Sequence, residues 1–425
     1  MTTSTFRRAP LFTAVGLAAL TMGASLASAT EGYFQLGFGP RQSAMGGTGV
    51  ANSVDAMAQA LNPAGIAGLD KQWQLGAAAF MPYRGYDGTG TGLVTSGSVE
   101  SDSNFFVVPN AAYIRPIDED STFGLVLYGN GGMNTNYSAN YNCTPGAPGV
   151  FCGMGKTGVD MMQAFLSATY ARRMGPVKIG IAPTIVAHRF RGLGLSAFAP
   201  MSSDAAHLTN NGYDYAFGAG LRGGVEFDLA ENLRIGVAGQ TKMWMSKFSK
   251  YRGLFAEQGD FDIPAAITAG ISFDATPDLT LNFDYQHIFY EGVKAVSNGF
   301  PAGGFLGDDN GPGFGWGDVD VFKVGAEWKA SDDWTLRAGY AYVTSPIKSD
   351  DVTLNILAPG VVQHHITAGA AYKMSDTGTL EFFGMVVPAS HVKGPEVTPS
   401  GATPGSTVDL NMHQFQFGFG YTKKF

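Results

Sequence analysis

The chain has 425 residues and a formal net charge of −8, and only 15% of its residues are charged although 45% are hydrophobic. Soluble globular domains carry about 25% charged residues, and a membrane-spanning helix needs about 18 or more consecutive apolar residues. The low charge argues against an ordinary soluble enzyme, the mean hydropathy of +0.02 argues against a helical membrane protein, and the acidic balance argues against nucleic acid as a partner. These numbers leave a large all-β protein, rich in glycine and aromatic residues, that is able to face lipid.

The first 29 residues have the features of a secretory signal peptide. Arg7 and Arg8 form a basic start, residues 11–22 are mostly apolar, and Ala27-Ser28-Ala29 is a small-residue cleavage site. This order predicts removal of residues 1–29 and export of the mature chain. A membrane-anchoring helix is the alternative, and the shortness of the apolar stretch argues against it.

Residues 30–72 lack the alternation that dominates the rest of the sequence. A short helix is predicted where apolar residues recur at helical spacing, at Val54, Met57, Ala58 and Leu61. Asn62-Pro63-Ala64-Gly65 ends that helix. A segment of 43 residues is too small to be a stable soluble domain, so we predict a hatch, or plug, inside the lumen of a barrel. A free periplasmic arm is the alternative.

From residue 73 to residue 425, apolar side chains alternate with small or polar ones, which is the pattern of strands with two different faces. In the last segment, Phe415, Phe417 and Phe419 share one face, and Gln414 and Gln416 lie on the other. The predicted strands are residues 73–84, 104–115, 122–132, 163–174, 177–189, 213–229, 232–246, 265–275, 279–291, 319–329, 334–344, 364–374, 378–388 and 411–425.

The connections between these segments alternate between short turns and long loops. An even number of strands, with short turns at one end and long loops at the other, is typical of a bacterial outer-membrane barrel. We therefore predict an all-β fold: a 14-stranded antiparallel transmembrane β-barrel over residues 73–425, with both termini periplasmic. A soluble β-sandwich is the alternative. The terminal Phe425 closes an aromatic strand, as in barrels recognised by the barrel-assembly machinery, which is an expected partner.

The sequence contains two cysteines, Cys143 and Cys152. An even number in an exported protein, close together in a stretch rich in glycine and proline, predicts one disulfide in a loop. A two-cysteine metal site is the alternative, but the CxxC spacing and nearby histidines are missing. We expect no metal and no cofactor.

Several short motifs resemble the FadL/TodX family of outer-membrane transporters. They are Gly32-Tyr33-Phe34-Gln35-Leu36, Asn62-Pro63-Ala64, Pro109-Asn110-Ala111-Ala112-Tyr113, Ile263-Pro264-Ala265 and Leu336-Arg337-Ala338-Gly339-Tyr340. The resemblance implies a passive channel, not an enzyme, that takes up long-chain fatty acids or aromatic hydrocarbons through a barrel closed by a hatch. It also implies a monomer in the bacterial outer membrane, surrounded by membrane lipid and lipopolysaccharide.

The resemblance further implies where the working parts lie. Asn62, Pro63 and Ala64 would form the hatch motif. A kink in the third strand would open a lateral exit into the membrane, and the matching residues here are Gly129, Gly131 and Gly132. Glycines inside a strand mark a bulge or bend, which agrees with that role. The alternative is the start of a flexible loop.

A hydrophobic ligand is expected to bind in the lumen, close to Phe34 and Leu36 of the hatch. Strand parity turns Arg222, Lys323 and Arg337 inward, and one such cation is able to hold a fatty-acid carboxylate. Salt bridges that only stabilise the barrel are the alternative role. We also keep open the uptake of aromatic or aliphatic hydrocarbons, a general porin, and an outer-membrane acyl hydrolase or transferase. No Ser/His/Asp constellation supports the last of these.

Overall fold

A computed structural model describes residues 30–143, 146–152 and 155–425. The predicted signal peptide, residues 1–29, lies outside the described residues. In the part of the chain that the structure describes, no helix combines the length and the apolar composition needed to cross a bilayer.

The described residues form a closed antiparallel barrel of fourteen strands. We number them β1 to β14 in chain order: Gln72–Thr89, Phe106–Pro116, Ser121–Asn134, Gly158–Met174, Val177–Leu193, Asp214–Ala230, Leu233–Gln240, Ala266–Thr276, Leu279–Ile288, Val319–Lys329, Trp334–Val343, His364–Ser375, Gly378–Gly394 and Thr407–Lys424. Each strand pairs with its neighbours in sequence. The barrel closes between β1 and β14, from the pair Gln72–Lys424 to the pair Thr89–Thr407.

The predicted fold class is confirmed. The ends of some strands differ from the predicted ends in two ways. The strand predicted over 232–246 ends at Gln240, because the Thr241 hydroxyl accepts the hydrogen bond of the Leu221 N–H and interrupts the backbone ladder. The chain pairs with β6 again over Trp244–Met245. Several other strands, such as β1 and β13, run four or more residues further than predicted at their extracellular ends. There the extended parts of β1 and β13 both pair with β14. They lie above the lipid-facing band, where side chains no longer have to alternate between lipid and lumen.

Large apolar side chains cover the outside of the barrel. Ile185 exposes 60% of its surface, and Phe417 and Phe419 each expose 56%. Exposed apolar surface on this scale, alternating with polar lumen residues along each strand, is what a lipid-facing wall requires. The strands satisfy their backbone hydrogen bonds within the sheet, so they cross the lipid without exposing unpaired polar groups.

The N-terminal segment, residues 30–71, is made of short turns. A helix covers Gly39–Ala44, with Pro40 at its start, and 3-10 turns cover Ala56–Ala60 and Pro63–Ile66. The second 3-10 turn begins where the Asn62 side chain accepts a hydrogen bond of 3.0 Å from the N–H of Ala64. The helix predicted around residues 54–61 is therefore a shorter 3-10 turn, since the cap at Asn62 restarts the chain in a new direction.

Strands on opposite sides of the wall contact this segment, which places it in the lumen. Gln59 donates to the Leu125 carbonyl of β3, and Asn62 donates to the Val225 carbonyl of β6. On the opposite wall, the Thr367 hydroxyl of β12 accepts a hydrogen bond of 2.8 Å from the Gly46 N–H. Most of residues 30–67 are buried, as expected for a segment that packs against the inner side of the wall.

The long loops lie at the other end of the barrel from the short turns. In the loop between β3 and β4, the structure joins Cys143 to Cys152 by a disulfide with an S–S distance of 2.06 Å. Nearby, the Thr95 N–H donates to the Val150 carbonyl, which ties this loop to the loop after β1. The loops, the lumen side chains and the N-terminal segment share one large hydrophobic cluster.

Candidate ligand site and wall opening

Buried charged groups tie the middle of the N-terminal segment to the wall. Arg41 donates two hydrogen bonds of 2.9 Å to Glu327 of β10. Arg337 of β11 contacts the same carboxylate at 2.6 Å and reaches Glu381 of β13 at 2.7 Å. We call Arg41, Glu327, Arg337 and Glu381 the anchor. Two guanidinium groups share two carboxylates here, and the buried Asp55 carboxylate also interacts with both guanidinium charges.

A second fixed point lies on β9. The Asp284 carboxylate accepts hydrogen bonds from the N–H groups of Gly49, at 2.8 Å, and Val50, at 3.0 Å. An ionised carboxylate that accepts from two backbone donors makes strong, directional contacts. The middle of the segment is therefore held by side chains on at least four strands.

The start of the segment, residues 30–36, is held in a different way, and we call it the hook. Its backbone pairs with the bulged part of β3: the Gly132 N–H donates to the Tyr33 carbonyl at 3.2 Å, and the Gln35 N–H donates to the Asn130 carbonyl at 2.9 Å. Gly131 lies between them, and a Cβ atom added there would stand 1.6 Å from the Tyr33 carbonyl oxygen. Only glycine allows the hook to approach β3 this closely.

The wall is incomplete beside the hook. β2 and β3 pair from Pro116–Thr122 up to Asn110–Tyr128, where their ladder ends. Beyond it, β3 continues to Asn134 against β4, with a register shift between Gly129 and Gly131. Residues 106–109 of β2 pair with β1, and no pairing with β3 is found among the described residues. The predicted glycines thus lie where β3 leaves β2, and whether ligands leave there stays a prediction.

A small cavity of about 30 Å³ lies on the lumen side of this break. It is lined by the apolar side chains of Phe34, Leu36 and Phe38, and by Arg222 and Lys323. Asn130, from the bulge of β3, is also in its lining. The space equals about one or two water molecules, so a long ligand needs the hook to move.

The two cations of this cavity differ in their partners. Lys323, 2% exposed, contacts the fully buried Glu31 carboxylate of the hook at 2.6 Å, and it also donates to the Leu36 carbonyl and the Gln286 amide oxygen. Burial raises the pKa of the Glu31 carboxyl, and the nearby Lys323 charge opposes that rise. The ion pair of Glu31 in the described residues is thus made with a single lysine of the wall.

Arg222 is the second cation. It is 6% exposed, and its guanidinium donates to the Tyr128 hydroxyl and lies 5.8 Å from the centre of the Phe38 ring. Among the described residues, no carboxylate lies within ion-pair distance of Arg222. A buried charge without a counter-charge is costly, so this group offers an anion a strong site.

The structure brings four of the five sequence-predicted ligand residues together. Phe34, Leu36, Arg222 and Lys323 line the cavity, whereas Arg337 lies in the anchor. Glu31 and Glu381 were missed by the sequence analysis. Strand parity was enough to turn Glu381 inward, but residue 31 lies in a segment without periodicity, where no pattern indicates what it contacts.

An apolar groove lies among the extracellular loops. Its walls include Leu195, Phe198, Leu306 and Phe314, which come from two loops far apart in sequence. No sequence pattern indicates that these two loops pack together. Within residues 30–143, 146–152 and 155–425, no cluster of three or more His, Cys, Asp or Glu side chains is arranged to hold a metal ion.

A family model described as outer membrane protein transport protein (OMPP1/FadL/TodX) matches residues 36–425. The chain belongs to this family. Its members are transport channels, and the protein is accordingly an outer-membrane channel for hydrophobic compounds. No curated protein matches the sequence significantly.

Solved structures agree on the fold. The Pseudomonas putida toluene transporter TodX is 17% identical, with a TM-score of 0.69 over 93% of this chain and 100% of that chain. The Ralstonia pickettii toluene transporter TbuX is 18% identical, with a TM-score of 0.62 over 92% and 99%. A Pseudomonas aeruginosa FadL homologue is 15% identical, with a TM-score of 0.67 over 93% and 100%. At such identities the likeness establishes the barrel architecture and leaves the substrate open.

Proposed function

We propose that the protein takes up long-chain fatty acids by passive diffusion. The observation that carries this proposal is Arg222, a buried cation without a carboxylate partner among the described residues, in a cavity that Phe34 and Leu36 line together with polar side chains. An amphiphile with one carboxylate and a long apolar chain matches that combination of charge and surface.

The proposed route has three stages. A fatty acid first binds in the groove around Phe198 and Phe314, which is apolar and open to the outside. It then enters the lumen, where its carboxylate reaches Arg222 and competes with Glu31 for Lys323. Loss of the Glu31 contact loosens the hook, which uncovers the break between β2 and β3 and lets the chain pass sideways into lipid.

In this proposal, residues 30–72 act as the hatch, with Asn62, Pro63 and Ala64 as its structural turn. Asn62 supports that role because its amide also donates to the Val50 carbonyl at 2.7 Å, which links the two halves of the segment. Gly129, Gly131 and Gly132 form the edge of the exit. A hydrophobic substance that leaves through the wall passes directly into the lipid of the membrane without first entering water.

The proposal also includes the partners expected of an outer-membrane barrel. The barrel-assembly machinery would recognise the last strand, whose terminal Phe425 N–H donates to the Lys71 carbonyl. Membrane lipid and lipopolysaccharide would surround a monomeric barrel.

The proposal is tested by Arg222→Met, with Arg234→Met as the matched control. Arg234 lies on the neighbouring strand, outside the cavity, and is paired with Asp274 at 2.8 Å. A hydrogen bond to a charged group contributes about 1.5–3 kcal/mol, so Arg222→Met is expected to weaken fatty-acid binding about 10- to 100-fold. Binding is measured with the purified proteins and a fluorescent fatty acid, and uptake is measured in cells.

Hydrocarbon uptake is the second candidate, favoured by the purely apolar extracellular groove and by the toluene transporters among the similar structures. It predicts that Arg222→Met binds and transports toluene as well as the parent does, and that neither protein binds fatty acids. That result would replace the fatty-acid proposal.

A further inference from the structure

The outer surface of the barrel carries two arginines near the extracellular end of β5. Arg189 and Arg191 share the lipid-facing side of this strand with Ile185, which exposes 60% of its surface. A strand rises about 3.4 Å per residue and tilts by about 40° in such barrels. Arg189 therefore lies about 10 Å nearer the cell exterior than Ile185, at the level where the apolar band gives way to lipid headgroups.

Both guanidinium groups are held against one aromatic ring. The centre of the Tyr213 ring lies 4.3 Å from Arg189 Cζ and 4.5 Å from Arg191 Cζ. The Tyr213 hydroxyl donates to Asp160 Oδ2 at 2.6 Å, and Lys250 Nζ donates to the Tyr213 carbonyl at 2.7 Å. We call Asp160, Arg189, Arg191, Tyr213 and Lys250 the arginine patch. Stacking on a ring fixes the planes of the guanidinium groups in advance, so they lose little freedom when they bind an anion.

The charges of the patch do not balance. Asp160 Oδ2 lies 3.4 Å from Arg189 and 4.0 Å from Arg191, so one carboxylate serves two guanidinium groups, and Arg191 has only the longer contact. The Arg191 side chain is 36% exposed, and Lys250 is exposed beside it. The next carboxylate, Asp214, accepts from the backbone N–H of Lys250 and leaves a net positive charge of one.

Other outward-facing sites at this level lack an excess of positive charge. Near the ends of β9 and β10, His287 lies between Asp318 and Asp320, at 3.4 and 2.8 Å. On β13, Lys393 stands opposite Asp409 of β14 in the strand register, and the two charges cancel. An anion in the outer leaflet therefore meets repulsion beside Asp318 and Asp320, no net charge at Lys393 and Asp409, and attraction at the arginine patch.

We propose that the arginine patch binds a phosphate group of the outer-leaflet glycolipid, lipopolysaccharide. Arg191 and Lys250 contact the phosphate oxygens directly, while Arg189, which is 7% exposed, stands behind them and adds its charge. A phosphate matches the planar fork of an arginine, and basic residues at a membrane surface attract anionic headgroups. The site lies outside the barrel, so it is independent of the ligand cavity and of the proposed substrate.

The test uses the full-length mature protein, purified in a neutral detergent, and counts bound lipid by native mass spectrometry. The probes are lipid A with its phosphates, the same lipid A without them, and inorganic phosphate. The variant Arg191→Gln removes the guanidinium group that has only the longer contact with Asp160, and Lys393→Gln is the matched control, an outward-facing cation of similar height. A double variant, Arg189→Gln with Arg191→Gln, removes both guanidinium groups.

We expect the parent to bind phosphorylated lipid A more tightly than the dephosphorylated lipid. Arg191→Gln should weaken that binding about 5- to 10-fold, as expected for the loss of one cation at a membrane surface, and Lys393→Gln should leave it unchanged. Fatty-acid uptake should be the same in all single variants. If Arg191→Gln binds both lipids as the parent does, or if millimolar inorganic phosphate displaces the lipid, the proposal is wrong. Arg191→Gln decides the question even if the double variant does not fold.

Discussion

The anchor and the hook belong to the same N-terminal segment but are attached to the barrel by different chemistry. The anchor uses side-chain ion pairs: Arg41 and Arg337 with Glu327, and Arg337 with Glu381. The hook uses backbone hydrogen bonds to the bulge of β3 and one buried ion pair, Lys323 with Glu31. The anchor separates only when several ion pairs break, whereas the hook has one ion pair besides its hydrogen bonds. We therefore expect the hook to separate from the barrel more easily than the anchor does.

The largest effect is expected from breaking the anchor with Glu327→Gln. The change removes the carboxylate that both the Arg41 and the Arg337 guanidinium groups contact, and loss of one partner from a buried pair costs about 3–5 kcal/mol. The barrel should still form because its strands complete their own hydrogen bonds. We expect faster proteolysis of residues 30–71 and higher uptake of small hydrophilic antibiotics.

Asp376→Asn is the control for that experiment. Its partner Lys373 lies 2.9 Å away, but both side chains are exposed, and exposed pairs contribute about 0–1 kcal/mol. Proteolysis and permeability should match the parent. If Glu327→Gln also matches the parent, the anchor does not hold the segment.

A smaller and more local effect is expected from Glu31→Gln, which breaks only the hook. Lys323 then keeps its neutral partners Leu36 and Gln286 but loses the anion that competes with a ligand. Fatty acids should bind about 10-fold or more tightly, since a charged hydrogen bond contributes about 1.5–3 kcal/mol. Titration with a fluorescent fatty acid measures the change, and Glu119→Gln, in an exposed periplasmic turn, is the control. Weaker binding by Glu31→Gln would show that Glu31 assists the ligand and does not compete with it.

The smallest structural change tests the exit. At Gly129, an added Cβ meets Val108 of β2 at 3.5 Å and the Gln35 side chain of the hook at 3.6 Å, both in ordinary contact, and no hook backbone atom is among its nearest neighbours. Gly129→Val should therefore fill the space between β2 and β3, slowing fatty-acid uptake several-fold while equilibrium binding stays the same. Gly223→Val is the control, because an added Cβ there finds only the Gly180 carbonyl, at 3.7 Å. Equal uptake by both variants would favour passage straight to the periplasm.

The structure also shows that a substitution at Gly131 is a poor test of the exit. From the sequence, valine at residues 131 and 132 is expected to slow release and to leave binding intact. A side chain at Gly131 would instead collide with the Tyr33 carbonyl of the hook. Such a variant displaces the hook backbone and changes the wall together, whereas Gly129→Val adds only ordinary contacts and leaves the hook backbone in place.

The sequence alone was sufficient to predict the barrel. Successive side chains of a membrane strand face lipid and lumen in turn, so the strand shows directly as an alternation of apolar and polar residues. The aromatic face of residues 411–425 and the order of short turns and long loops were sufficient for strand number and orientation. Parity also placed Arg222 and Lys323 in the lumen. These inferences use only local periodicity, which does not depend on what lies across the barrel.

Only the tertiary structure decided which inward charges meet. Glu31 contacts Lys323, which lies 292 residues away in sequence, and Arg41 contacts Glu327. Arg337 lies in the anchor and does not line the ligand cavity. The groove between Phe198 and Phe314 likewise exists only once separate loops pack together. The N-terminal segment has no periodic pattern that specifies its orientation in the lumen. That orientation decides which lumen cation has a carboxylate partner, as Lys323 does, and which has none among the described residues, as is the case for Arg222.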